Sequence, residues 1–329
     1  MSEIRKHYFL DEYCIIASER GKRPSDFASK KTASVVSDCV FCGGNEDRTP
    51  LGTAVYKDGE VLVDTEGSRV IGWDVRCIPN LFPALSPKPA ILSELEDSAA
   101  SQWSIQEGFG YHEVIVESPT HGRMISDFSD DEMSLLMRVY KERVSHYRSQ
   151  DGIRYVSLFK NWGERAGASL DHTHSQLIAL PILPPSLKRE QDAIHAAGGC
   201  PYCDIVDKES RSVRLLYENS GAVAFCPHFS MTPFEVWILP KQHVNHLANC
   251  TDEMLRLIGD AIRFVVSRYD VVLSSPSYNY MFYWIFDDDS YHLNVKLQPV
   301  LSTPAGFEKG TGIFINTVVP ESAAEYLKI

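Results

Sequence analysis

Apolar residues alternate with polar ones in several short stretches of the chain, and recur at helical spacing in two longer ones. YHEVIVES, YVSLFKN, SQLIAL, FEVWILP and YNYMFYWIF are short and rich in β-branched and aromatic residues, a pattern that predicts strands. Met133, Leu136, Met137, Tyr140, Val144 and Tyr147 fall on one face of a 3.6-residue period, and so do Met254, Leu257, Ile258, Ala261, Ile262 and Val265. Each run predicts a long amphipathic helix. Ser129, three residues ahead of Glu132, forms a capping box at the start of the first. Strands flank both helices, so the predicted class is α+β: antiparallel sheets with helices packed on one face.

The same pieces occur twice. HEVIVESPTH (residues 112–121) matches FEVWILPKQH (residues 234–243), 122 positions on. SDDEM (129–133) matches TDEM (251–254), and DHTHSQLIALP matches YHLNVKLQP, with His172 lying 120 positions before His292. Three features in one order at a nearly constant separation predict a duplicated unit. PILPPS (181–186) and AAGG (196–199) read as breakers between the copies. The predicted units are residues 1–188, carrying the chemistry, and residues 189–329, a degenerate copy.

Composition narrows the function. The 329 residues are 44% hydrophobic and 23% charged, ordinary for a globular protein with a sizeable core. The net charge is −12 and no basic run occurs, which argues against nucleic acid or an anionic membrane as a partner. Any phosphate site must then be local. No run of about 18 apolar residues predicts a membrane span, and MSEIRKHYFL lacks the apolar centre of a signal peptide. A cytoplasmic location is the expectation.

Four of the eight cysteines form two C-x2-C pairs, Cys39/Cys42 and Cys200/Cys203. In this context such pairs read as metal ligands before disulfides. Each pair is followed by two histidines related by the repeat. The candidate sets are Cys39, Cys42, His121 and His172, and Cys200, Cys203, His243 and His292. A Cys2His2 set suits tetrahedral structural zinc with no open position. The blander reading is free buried thiols with unrelated histidines, and the duplication weighs against it. His7, His112, His195, His228 and His246 match no motif and receive no role.

SLDHTHSQLIALP (169–181) places His172, His174 and Gln176 at alternate positions. On a strand these three project to one side, while Thr173, Ser175 and Leu177 project to the other. A neutral imidazole at His174 can attack an electrophile without a separate base. Gln176 can donate to a phosphoryl oxygen but cannot titrate. Upstream, Gly167, Ala168 and Ser169 are small, so backbone N–H groups and the Ser169 hydroxyl can approach a phosphate. The second copy has Asn294 and Lys296 where the first has His174 and Gln176. One chemical centre per chain is therefore expected.

With these motifs in hand, the chain resembles the galactose-1-phosphate uridylyltransferase family of the histidine-triad superfamily, along nearly its whole length. IRKHYFLDEYCIIASERGKRP resembles the family's opening strand and R-x-x-R-P element, which implies phosphate and nucleotide contacts for Arg20 and Arg23. CVFCGGNEDRTP and ESPTH resemble its zinc elements. NLFPAL resembles its base and ribose loop and makes Asn80 a candidate there. NWGERAGASLDHTHSQ resembles the active-site signature, with His172 as ligand, His174 as nucleophile and Gln176 as phosphate partner, and with Asn161, Gly167, Ala168 and Ser169 around the substrate. AGFEKGTGIFINTVVPESAAEYL resembles the C-terminal segment that reaches a sugar phosphate.

The resemblance implies two tandem histidine-triad-like domains, zinc, a homodimer, and ping-pong nucleotidyl transfer between a nucleotide sugar and a sugar 1-phosphate or phosphate. Uridylyl transfer from UDP-glucose to a hexose 1-phosphate is the leading version. ADP-glucose phosphorolysis and dinucleoside-polyphosphate phosphorolysis are the alternatives. The chain departs from the bacterial H-P-H-G-Q form in carrying H-T-H-S-Q, which is closer to plant ADP-glucose phosphorylase. A non-catalytic, zinc-stapled nucleotide-binding scaffold is the competing class. Loss of His174 would mark it, and His174 is present.

Overall fold

A computed structural model describes residues 2–18, 39–87 and 108–329. Arg20 and Arg23 lie outside the described residues. Within them the chain runs β1 (Glu3–Lys6), β2 (Tyr13–Ile16), β3 (Ala54–Lys57), β4 (Glu60–Leu62), β5 (Val75–Pro79), β6 (Tyr111–Val116), α1 (Asp130–Arg148), β7 (Tyr155–Trp162) and β8 (His174–Leu180). It continues through α2 (Pro185–Ala197), α3 (Pro201–Glu209), β9 (Leu215–Glu218), β10 (Ala222–Phe225), β11 (Val236–Pro240), α4 (Asp252–Val272), β12 (Tyr278–Tyr283) and β13 (Asn294–Pro299). It closes with α5 (Gly306–Thr311), β14 (Phe314–Asn316) and α6 (Pro320–Lys328).

The local signals in the sequence act as expected. Ser129 Oγ accepts the Glu132 N–H at 3.2 Å, and the Glu132 carboxylate accepts the Ser129 N–H at 2.8 Å. This reciprocal cap starts α1. Thr251 caps α4 by accepting the Met254 N–H. The segment between the copies is less broken than its composition suggests. Pro184 and Pro185 start α2, since a proline at the first helical position needs no N–H partner, and Gly198 ends it in the left-handed region at φ 71°.

Eleven strands form one sheet in the order β4-β3-β5-β6-β8-β7-β12-β13-β11-β10-β9, every adjacent pair antiparallel. Taken inward from its ends, the series β3-β5-β6-β8-β7 corresponds to β9-β10-β11-β13-β12. The duplication read from the sequence thus appears as a pseudo-twofold sheet, with β7 paired to β12 at its centre. The repeat-related helices α1 and α4 pack on each other over one face. They cross closely at Gly259, where a β-carbon would lie 2.8 Å from Met137 Cγ. The main apolar core fills the space between these helices and the sheet. No helix among the described residues is long and apolar enough to cross a membrane.

A small sheet, β1-β2-β14, lies against the second copy, with β14 parallel to β2. Arg5 on β1 binds Glu321 of α6, which also pairs with Arg214. His7 follows β1 and is buried among Phe9, Phe229 and Trp237. Its Nδ1 accepts the Phe9 and Leu10 N–H groups at 3.3 and 3.1 Å, an arrangement only the neutral ring provides.

Burial first, and then the Lys296 charge, push the His7 imidazole down to about 3. Its folded pKa therefore lies below the unfolded value of about 6.5, and the unfolded chain binds the extra proton. The stability this creates is complete above pH about 6.5 and is lost as pH falls toward about 3. Urea unfolding at stepped pH should show this slope weakened in His7→Gln relative to the parent. Identical slopes would show that His7 stays out of the linkage.

Candidate active site

β8 carries polar side chains on both faces. His174 and Gln176 occupy the face away from α1, and Thr173 and Ser175 the face toward it. Buried hydroxyls are costly without partners. The core supplies them through Glu117, just past β6, and Lys160 of β7, both buried.

The Lys160 ammonium binds Glu117 Oε2, Thr173 Oγ1 at 2.9 Å and the His174 carbonyl at 3.0 Å. All three partners accept, which is the surrounding of a charged ammonium even though burial pushes its pKa down. Glu117 also accepts from Thr173 at 2.5 Å, from Tyr140 of α1 at 2.7 Å, and from Ser175. Burial alone would raise its carboxyl, but Lys160 and the hydroxyl donors outweigh this and hold it below the ordinary range. Tyr280 of β12 donates to the Tyr140 oxygen at 2.6 Å, so the second copy joins the same network.

On the opposite face, His174 Nδ1 lies 2.7 Å from the His172 carbonyl. A carbonyl only accepts, so Nδ1 carries the hydrogen and the lone pair of the neutral ring sits on Nε2. Burial first, and the Lys160 charge second, lower the pKa of this imidazole and keep it neutral. The Phe41 ring stands edge-on to both His172 and His174.

Both Cys2His2 sets assemble. The ligand atoms of Cys39, Cys42, His121 and His172 lie within 4.8 Å of one another, and so do those of Cys200, Cys203, His243 and His292. His172 Nδ1 is 3.5 and 3.7 Å from the Cys39 and Cys42 sulfurs. His292 Nδ1 is 3.7 and 3.6 Å from those of Cys200 and Cys203. A tetrahedral ion with bonds of about 2.0–2.3 Å requires ligand separations of about 3.3–3.8 Å, so the residues present fit such an ion. His172, His292 and His243 direct Nε2 at the carbonyls of Ser118, Pro240 and Asp289, which leaves Nδ1 as the ligand nitrogen in each.

Gln176 meets His112, which no motif had marked. His112 of β6 lies 2.8 Å from Gln176 Oε1 through Nε2, while its Nδ1 accepts the Ala84 N–H at 3.0 Å. A backbone N–H cannot reverse its polarity. Nδ1 is therefore the acceptor, Nε2–H is the donor, and the Gln176 oxygen is taken. Asn80 Nδ2 stands 3.1 Å from the same Nε2, which brings the exposed loop 80–85 to the site. Only the register of β6 against β8, which sets Val114 across from Gln176, puts His112 on this face.

The loop after β7 differs in one respect from expectation. Gly163 (φ 80°) and Gly167 (φ 91°) bracket a single 3-10 turn, Glu164–Ala166. The Ala166 and Ala168 N–H groups donate to the Gly163 carbonyl, and the Gly167 N–H to that of Glu164. The N–H groups of Gly167 and Ala168 thus close the loop on itself. They are not the free phosphate donors that their small side chains suggested, because tight turns satisfy their own amides. Ser169 is exposed beyond them, and Asp171 is exposed as well.

A neutral, oriented imidazole beside a carboxamide whose oxygen is already engaged is equipment for transfer at phosphorus, and relatives of known activity agree. The family model described as "Domain of unknown function (DUF4921)" matches residues 122–327. ADP-glucose phosphorylase of Arabidopsis thaliana is 32% identical, over 99% of this chain and 92% of that protein. Galactose-1-phosphate uridylyltransferase of Thermotoga maritima is 26% identical, over 100% and 98%. The crystal structure of the Arabidopsis phosphorylase with bound ADP-glucose superposes with a TM-score of 0.81 at 29% identity, covering 100% of this chain and 99% of that one. A uridylyltransferase structure gives 0.76 at 26% identity, covering 100% and 97%. The fold and the relatives are those of a nucleotidyltransferase enzyme. The chain belongs to the galactose-1-phosphate uridylyltransferase family.

The ion pair beneath β8 can be probed directly. Lys160→Met leaves Glu117 buried without its cation and should lower the unfolding free energy by about 3–5 kcal/mol in urea titrations. Lys160→Met with Glu117→Gln removes both charges and should recover much of that loss. A single variant as stable as the parent would show that the pair does not secure the strand.

Proposed function

We propose that the chain transfers a nucleoside monophosphate from a nucleotide sugar to an acceptor phosphate through a covalent nucleotidyl-His174 intermediate, as a hexose-1-phosphate uridylyltransferase does. The hydrogen bond from His174 Nδ1 to the His172 carbonyl carries this reading, because it leaves Nε2 as a lone-pair nucleophile. Nε2 attacks the α-phosphorus, the P–N bond forms, and the P–O bond to the sugar 1-phosphate breaks. That leaving group departs as a phosphate anion and needs no proton. In the second step an oxygen of a hexose 1-phosphate or of phosphate displaces Nε2, which regenerates the neutral ring.

Gln176 and Asn161 direct N–H groups at the phosphoryl oxygens, where charge builds in the transition state. The Ser169 hydroxyl, and from the family resemblance Arg20 and Arg23, bind the remaining phosphate charge, while Asn80 lies on the nucleoside side. Each Cys2His2 set holds zinc in a structural role, since four protein ligands leave no open position. The first zinc pins His172 and through it the backbone that carries His174.

A second reading has its own support. Adenylyl transfer, with ADP-glucose as donor and phosphate as acceptor, is favoured by the higher identity to the Arabidopsis phosphorylase, 32% against 26% for the Thermotoga uridylyltransferase. Intact-mass measurement after incubation with UDP-glucose or with ADP-glucose separates the two. A UMP adduct is the expected result. An AMP adduct alone would replace the uridylyl reading with the adenylyl one, and no adduct from either donor would sink both. His174→Gly should form no adduct while keeping the parent's melting temperature and metal content.

Metal analysis should find two zinc ions per chain. Cys200→Ser should lower the count to one and retain adduct formation, whereas Cys39→Ser should lower it to one and slow the adduct, because only the first ion touches the strand of His174. Equal losses of rate in the two variants would refute this division of roles.

A further inference from the structure

Asn279 sits on β12, in the second copy, directly across from Asn161 of β7. The β7–β8 register sets Phe159 opposite Gln176, so Asn161, two residues on, shares the sheet face of Gln176 and His174. The Asn279 amide nitrogen donates to Asn161 Oδ1 at 2.7 Å and to the Ala166 carbonyl at 2.9 Å. A carbonyl only accepts, so the Asn279 atom facing Ala166 is nitrogen. Asn161 must then turn its oxygen toward Asn279.

The Asn161 amide nitrogen is consequently turned to the loop side, where a β-carbon on Gly167 would stand 3.7 Å from it. Gln176 shows the same polarity, its oxygen engaged by His112. Both carboxamides of the site thus have their acceptor ends engaged by protein donors. The loop itself is seated on β12: at Gly163 a β-carbon would meet Ser277 Oγ at 2.3 Å, so only glycine allows the chain to turn there.

We propose that Asn279 is a positioning residue for the transfer reaction. It fixes Asn161 as a hydrogen-bond donor to the phosphoryl group and, through Ala166, holds loop 163–169 in place. The inference rests on the nucleotidyl-transfer reading above. It assigns a task to the copy that lacks the nucleophile: that copy presets the polarity of the other copy's phosphate site.

Asn279→Asp is nearly isosteric but cannot donate, so it pulls the Asn161 nitrogen toward itself and leaves oxygen facing the phosphate. Single-turnover formation of the nucleotidyl enzyme, with whichever of UDP-glucose or ADP-glucose labels the parent, should slow by about 100-fold, in the range known for loss of one transition-state donor. Asn279→Ala, which frees Asn161 without reversing it, should slow it by about 10-fold. In an Asn161→Ala background both substitutions should have little further effect, because residues acting through one another are not additive.

Melting temperature and zinc content should match the parent, and if Asn279→Asp fails this check the Ala series decides. Losses that multiply in the double variants, or a parent-like rate in Asn279→Asp, overturn the proposal. A parent that forms no adduct with either donor refutes the reaction instead. Calorimetric affinity for UMP and AMP then decides the role of Asn279: at least 10-fold weaker binding in Asn279→Asp supports it, and equal binding overturns it.

Discussion

A single buried ion pair, Lys160 with Glu117, anchors the strand that carries His174. β8 presents polar groups on both faces, and a strand of that kind cannot lie over an apolar core unless its inner hydroxyls find partners. Glu117 accepts from Thr173 and Ser175, and Lys160 binds Thr173 and the His174 carbonyl. The same ammonium lowers the basicity of His174 from beneath. Removing hydroxyl partners, charge balance or strand anchoring would each disturb the imidazole on the other side. Tyr140 and Tyr280 extend the network to α1 and to β12, so both copies bear on one histidine.

The duplication explains why the two copies look alike and act differently. Each keeps a Cys2His2 set, in which His172 and His292 present Nδ1 to the thiols. Each also keeps the hydrogen bond that follows. Asn294 Nδ2 donates to the His292 carbonyl at 3.0 Å, where His174 Nδ1 meets that of His172 at 2.7 Å. An amide in that place retains the backbone contact but has no nucleophilic nitrogen. Lys296, at the position of Gln176, rests its charge over the rings of Trp237 and Tyr283, at 4.3 and 4.9 Å.

The elements and the metal sets were legible in the chain because both leave periodic or repeated marks. Alternation gave β6, β7, β8, β11 and β12, helical spacing gave α1 and α4, and the repeat joined each C-x2-C to its two histidines. His112 and Asn279 left no such mark. A lone histidine and a lone asparagine on strands are common, and their importance comes from what stands across the sheet. The Gly167 and Ala168 amides depart from expectation for a related reason. Small residues permit a close approach to phosphate, but a tight turn uses the same N–H groups to close itself.

The sequence by itself determined the α+β class, the duplication and the two Cys2His2 sets, since each depends on residue type and spacing along the chain. Tertiary structure alone decided the polarity of the site. Which nitrogen of His174 bears the lone pair, and which ends of Gln176 and Asn161 stay free, follow from fixed backbone groups and from cross-strand partners. Those partners lie 64 and 118 residues away for Gln176 and Asn161. Hydrogen-bond direction is set by neighbours in space, and the register that brings those neighbours together is a property of the assembled sheet.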